Sequence, residues 1–231
     1  SLLSALFCCF IGTTFRLERF PRKCFWSFLV ALRWSLNTFL AFFSRNCFWS
    51  FLVALFFLFT NSASAAPIYT FPVADCAVKY VRSHHDYPAT DILAKKGCAF
   101  VSPINGVIED AIRVDKWSGK TNLGEDRGGL AISIIGDDGV RYYGSHLSKI
   151  LPEVITGLRV ISGQKLGEVG ASGSAKGTAP HLHFGISYPS KAGDWKIRRG
   201  VVYPWKYLDS WKIGEDKSPV AEVLKAKAKV K

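Results

Sequence analysis

Gly129-Leu130-Ala131-Ile132-Ser133-Ile134-Ile135 is followed by Asp137-Asp138-Gly139 and then by Val140-Arg141-Tyr142-Tyr143. The outer segments are rich in β-branched and aromatic residues, and the Asp-Asp-Gly between them is a hairpin turn signal. The same texture continues on both sides. Val107-Ile108, Leu158-Arg159-Val160-Ile161, Lys165-Leu166-Gly167-Glu168-Val169 and His181 to Ser187 are short runs bounded by turn residues. No helical periodicity intervenes, so the spacing predicts an all-β domain, mainly antiparallel sheet, with one short helical turn near Leu147 to Leu151. Asp194 to Trp205 reads as a continuation of the sheet edge whose aromatics pack on the domain.

His181-Leu182-His183-Phe184 lies in the last of these runs, where alternation sends Leu182 and Phe184 to one face and both imidazoles to the other. The chain has five histidines. His84 and His85 precede Asp91, and His146 follows Tyr142-Tyr143-Gly144-Ser145. A catalytic zinc typically takes three protein ligands from His and Asp or Glu and leaves a fourth position open. One of His84 and His85, together with Asp91 and His183, supplies that set for one zinc per chain. His146 and His181 then remain for proton chemistry. Strand parity with Asp91 favours His85 as the third ligand.

These segments, in their order, resemble the lysostaphin/LytM-type zinc endopeptidases, which cut peptide cross-links in bacterial cell walls. The resemblance runs from about Tyr80 to Tyr188. It is carried by the His/Asp segment, Gly97-Cys98-Ala99-Phe100-Val101-Ser102-Pro103-Ile104-Asn105-Gly106-Val107-Ile108, Tyr143-Gly144-Ser145-His146-Leu147-Ser148, Val160-Ile161-Ser162-Gly163-Gln164-Lys165-Leu166-Gly167 and the His-Leu-His-Phe run. It implies a β-sheet groove with the metal on its floor, Asp91 and His183 as ligands, and His181 and His146 beside the metal-bound water. One position departs from the family pattern. The family places a histidine four residues before the aspartate, where this chain has Tyr87. The wider superfamily also uses a longer spacing with an alanine two residues before the aspartate, as Ala89 stands here, and this favours His84.

Two glycine-bearing stretches are expected to wall the groove. Gly170 to Gly177 lacks the Gly-Lys-Ser/Thr ending of a phosphate-cradling loop and opens no helix, which argues against nucleotide binding. Lys116 to Gly128 carries Trp117, a residue suited either to stacking on sugar or peptide or to packing beneath its own loop.

The amino-terminal region has a different character. Cys24-Phe25-Trp26-Ser27-Phe28-Leu29-Val30-Ala31-Leu32 recurs as Cys47 to Leu55. Arg45, an apolar stretch of roughly 14 residues and then Ala63-Ser64-Ala65 read as a secretory signal peptide cleaved after Ala65, since a membrane span needs roughly 20 apolar residues. The chain contains no methionine, and residues 1–46 are set aside as not belonging to the mature domain. The expected organisation is therefore a hydrophobic segment at 1–65, serving as a signal or membrane tether, a zinc peptidase domain at 66–211 and a basic, disordered tail at 212–231.

The formal charge is +12 from 30 basic and 18 acidic residues. Past residue 65 there remain 24 basic and 17 acidic side chains, so that part stays basic at +7. No recognition helix or aromatic-interleaved basic motif accompanies the charge, which excludes nucleic acid as the expected partner and points to an anionic cell envelope. Of six cysteines only Cys76 and Cys98 lie beyond the leader, and they are expected to form one disulfide in an oxidising compartment. The sequence thus predicts a secreted, wall-associated zinc metalloendopeptidase acting on peptidoglycan. The alternative is an inactive wall-binding or amidase-activating module on the same fold.

Overall fold

The computed structural model describes residues 68–230. The expected leader at 1–65 lies outside the described residues, and among those residues no helix is long and apolar enough to cross a membrane. Ten strands follow one another: β1 (Val73–Ala74), β2 (Lys79–Tyr80), β3 (Thr90–Leu93), β4 (Ala99–Val101), β5 (Gly106–Ile112), β6 (Leu130–Gly136), β7 (Arg141–Ile150), β8 (Arg159–Val160), β9 (Lys165–Val169) and β10 (His181–Ser187). Three helical segments close the described chain: α1 (Trp195–Arg198), α2 (Trp205–Trp211) and α3 (Val220–Ala228).

The expected hairpin is β6 and β7, paired antiparallel with Ile134 opposite Tyr142. Asp138 makes the turn. Its Oδ1 accepts the Val140 N–H at 3.0 Å, its Oδ2 accepts the hydroxyl of Tyr142 at 2.6 Å, and Gly139 takes a φ of 75° that a side chain would resist. From β7 the sheet spreads in the order β1-β4-β9-β7-β10-β3-β2, with β6, β5 and β8 added beyond β7 on a branch. Every described pairing is antiparallel.

The strand β7 can serve three neighbours because its two halves are used differently. Arg141 to Ser145 pair with β10, whereas Leu147 to Ile150 pair with β9. The helical turn expected at Leu147 to Leu151 is therefore strand up to Ile150. What breaks the alternation is His146, a non-glycine residue at φ 64°, so the irregularity in the sequence marks a bulge rather than a helix.

Ile132, Ile134, Leu147, Leu166, Leu182 and Phe184 are fully buried between the sheet and its covering segments. Gly144 is required here, since a Cβ on it would strike the Phe100 ring at 2.5 Å. The carboxyl-terminal helices cover part of this core, with Trp211 stacked on Tyr69 at 5.2 Å between ring centroids. The expected sheet-edge continuation is limited to one bridge, Ile186 to Val202.

The tail expected to be disordered is also corrected by the structure. Val220, Val223 and Ala226 form an apolar stripe at a three-residue period and pack on the core, with Val223 2% exposed. The alternating lysines at 225, 227 and 229 read as a solvated run and hide that stripe.

Cys76 and Cys98 form the expected disulfide. It closes a segment that contains β2, both His84 and His85, and β3 with Asp91. Replacing both cysteines by serine is expected to cost about 2–4 kcal/mol of stability by freeing the unfolded chain. Thermal unfolding would show it, with the wild type falling to the variant's midpoint on addition of reductant.

Candidate metal centre

Register assembles the floor of the site. His183 on β10 stands opposite Asp91 of β3 on one side and opposite Ser145 of β7 on the other, so the three side chains share one face. His183 Nδ1 and Asp91 Oδ1 are 2.8 Å apart. His84 is delivered from the β2–β3 loop, with its Nε2 3.8 Å from Asp91 Oδ2 and its ring centroid 5.0 Å from that of His183. The three residues offer ligand atoms that all lie within 4.8 Å of one another. Of the two upstream histidines, the structure brings His84 into this group. His85 is exposed, its ring edge-on to His84 at 5.4 Å, and it lines the cleft outside the cluster.

The donor set fits a metal ion. Two ligands about 2.0–2.1 Å from a tetrahedral zinc stand about 3.4 Å apart, and the Asp91 separations of 2.8 and 3.8 Å bracket that spacing. The longer one is no hydrogen bond, and His84 Nδ1 is buried without a hydrogen-bond partner. Burial works to raise the Asp91 carboxyl, but the His183 hydrogen bond and the surrounding imidazoles hold it down at about 2. Burial and the neighbouring His183 push the His84 imidazole below its ordinary value. Both shifts favour the forms a metal requires, carboxylate and neutral imidazole.

His183 Nε2 lies 3.4 Å from the Arg199 carbonyl and 3.4 Å from the Tyr87 hydroxyl. An Nδ1 lone pair turned to a metal leaves an Nε2–H to donate to that carbonyl, the arrangement that orients a ligating histidine. Gly185, two residues along β10, lets the Arg199 carbonyl approach this closely, for a Cβ there would collide with it. Burial pushes the Tyr87 hydroxyl up to about 12 and keeps it protonated.

His146 and His181 stand beside the cluster, 4.9 Å apart between ring centroids, with His146 5.9 Å from His183. His146 donates Nδ1–H to the Ser172 carbonyl at 2.8 Å, and His181 does the same to the Ala179 carbonyl at 2.8 Å. An imidazole that donates through Nδ1 and is neutral carries its lone pair on Nε2. Burial, reinforced by His183 and His181, lowers His146 to about 4. Strand parity would send His146 to the face opposite Ser145, and the left-handed φ of 64° turns it back to the site.

A cleft of about 520 Å³ contains all five histidines and Asp91. Both predicted wall segments contribute, Glu125 and Arg127 from one and Ser174 and Ala175 from the other. Trp117 is not among the lining residues. It bonds within its own loop through Nε1 to Asn122 Oδ1 at 3.4 Å, the packing reading of that residue. Reading the sequence missed Trp195 and Arg199, which line the cleft opposite. The aromatic-basic run from Trp195 to Arg199 was the available signal.

The sequence profile of peptidase family M23 matches residues 85–195. The chain is 30% identical over 130 residues to an L-Ala–D-Glu endopeptidase of Bacillus subtilis strain 168, covering 54% of this chain and 35% of that one. It thus spans about a third of that relative's length. Among solved structures, the catalytic domain of lysostaphin from Staphylococcus simulans is 28% identical, with a TM-score of 0.44 over 58% of this chain and 93% of that domain. The antimicrobial peptidase lysostaphin of the same organism is 26% identical, with a TM-score of 0.47 over 68% of this chain and 60% of that one. The matched stretch crosses the sheet floor where Asp91 and His183 meet, and residues 85–195 carry a domain of peptidase family M23, the lysostaphin/LytM-type family.

Proposed function

We propose that the chain is a secreted zinc metalloendopeptidase that hydrolyses peptide bonds in bacterial peptidoglycan, with His84, Asp91 and His183 holding one zinc and His146 and His181 moving protons. The observation that carries this reading is the His84–Asp91–His183 group beside two imidazoles whose Nε2 atoms are unbonded to the protein. Zinc bound there supplies a Lewis acid for the scissile carbonyl and a more acidic water. His146, neutral through burial, accepts a proton at Nε2. That same proton reaches the departing amine from His146 Nε2, or by way of the Nε2 lone pair of His181, whose half-buried ring stands 4.9 Å away between centroids. His183 Nε2–H on the Arg199 carbonyl holds the ligand ring in place.

The name of the Bacillus relative makes a bond within the peptidoglycan stem peptide the leading candidate for cleavage. A basic chain suits attraction to an anionic envelope. In this reading residues 1–65 direct export or tether the chain to the membrane. The test is metal content of the purified chain together with release of new amino termini from peptidoglycan, with and without a chelator. About one zinc per chain and chelator-sensitive release are expected. Stoichiometric zinc with no release from several wall types would overturn the peptidase reading in favour of the inactive module.

A further inference from the structure

Four arginines line the cleft, and three are engaged within the protein. Arg141 and Arg198 both bind Glu109, and Arg127 donates Nε–H to Asn122 Oδ1 at 3.1 Å. Arg199 differs from them. Its guanidinium carbon lies 3.6 Å over the Tyr87 ring and 4.9 Å from the Trp195 ring centroid. Its side chain forms no ion pair and no hydrogen bond among the described residues, although Asp86 and Glu125 line the same cleft, and its Nε is buried without a partner.

A guanidinium clamped by aromatic faces is fixed in position while its N–H edge stays unspent. The Tyr87 ring beneath it carries the hydroxyl that reaches His183, so the cation stands one aromatic ring away from the metal group. Planar, bidentate N–H donors of this kind match a carboxylate.

We infer that Arg199, held between Tyr87 and Trp195, binds a free carboxylate on the substrate residue adjoining the scissile bond. The enzyme would then select acidic peptides over neutral ones such as glycine bridges. This inference rests on the peptidase reading for its substrate, but carboxylate recognition is measurable without cleavage.

The probes are a γ-linked L-Ala–D-Glu–L-Lys tripeptide with a free α-carboxyl and the same peptide as its α-carboxamide. Binding to the zinc-loaded full chain is followed by calorimetry and hydrolysis by product release. The acid is expected to bind about 10- to 100-fold more tightly than the amide, the range of a hydrogen bond to a charged group. Arg199→Gln should erase that preference, chiefly through KM, and Arg199→Lys should restore part of it. Retained zinc and an unchanged thermal midpoint identify a folded variant. If Arg199→Gln weakens both peptides equally, or if the wild-type chain binds them equally, Arg199 only supports the Tyr87 and Trp195 rings and the inference is overturned. Carboxylate-dependent binding with neither peptide cut would sink the peptidase reading and leave the carboxylate site standing.

Discussion

His183→Ala is expected to abolish stoichiometric metal binding and activity together. His181→Ala is expected to keep the metal and lower kcat by about 10²–10⁴, the usual worth of a positioned acid or base. The two imidazoles are one residue apart on β10, yet their surroundings differ. His183 meets Asp91 at 2.8 Å and a carbonyl on its other nitrogen. His181 spends Nδ1–H on Ala179 and leaves Nε2 unbonded. The same comparison separates the upstream pair: His84→Ala should lose the metal and His85→Ala should retain it, because His85 is exposed outside the cluster. Metal analysis beside single-turnover hydrolysis decides both cases. Loss of zinc from His181→Ala, or its retention in His183→Ala, would refute this division of roles.

Glu109→Gln is expected to lower stability by about 3–5 kcal/mol, the cost of stranding a buried charge. Arg141 is 2% exposed and its Nε lies 2.6 Å from Glu109 Oε2. Arg198 bonds the same carboxylate through both terminal nitrogens at 3.1 Å. Without the carboxylate, Arg141 has no ion-pair partner among the described residues, and Arg198 is left with Asp110 at 3.9 Å. Burial already pushes Arg141 below its ordinary value, and Glu109 is the main group that opposes it. Arg141 also donates to the Arg198 carbonyl, so it pins the backbone that carries the next residue, Arg199, against His183. The variant should therefore bind metal more weakly as well as unfold earlier. Urea midpoints and zinc titration measure the two effects, and an unchanged midpoint would mean that water had reached Arg141.

The β6–β7 hairpin and the His181–Phe184 strand were legible because period-two alternation and a turn with a glycine at positive φ are local properties. The choice between His84 and His85 was not. Strand parity favoured His85, but the loop from Arg82 to Ala89 is irregular, and parity applies only to extended chain. His146 was named by its motif, whereas its left-handed backbone left no mark in composition. The helix α3 was hidden because its burial depends on a stripe of three small apolar residues set among lysines. Arg199 owes its setting to Tyr87, more than a hundred positions earlier, and such tertiary juxtaposition is invisible to any window of sequence.

Two of the three grouped residues, Asp91 and His183, are cross-strand partners, and the third arrives on a loop closed at its base by a disulfide. Their separation is therefore a property of the sheet lattice, not of the intervening residues. The loop can lengthen or shorten, and its histidine can migrate along it, without disturbing the pair beneath. A relative whose first motif has an unfamiliar spacing should accordingly be judged by what faces its strand aspartate across the ladder, since that geometry outlasts rearrangement of the loop.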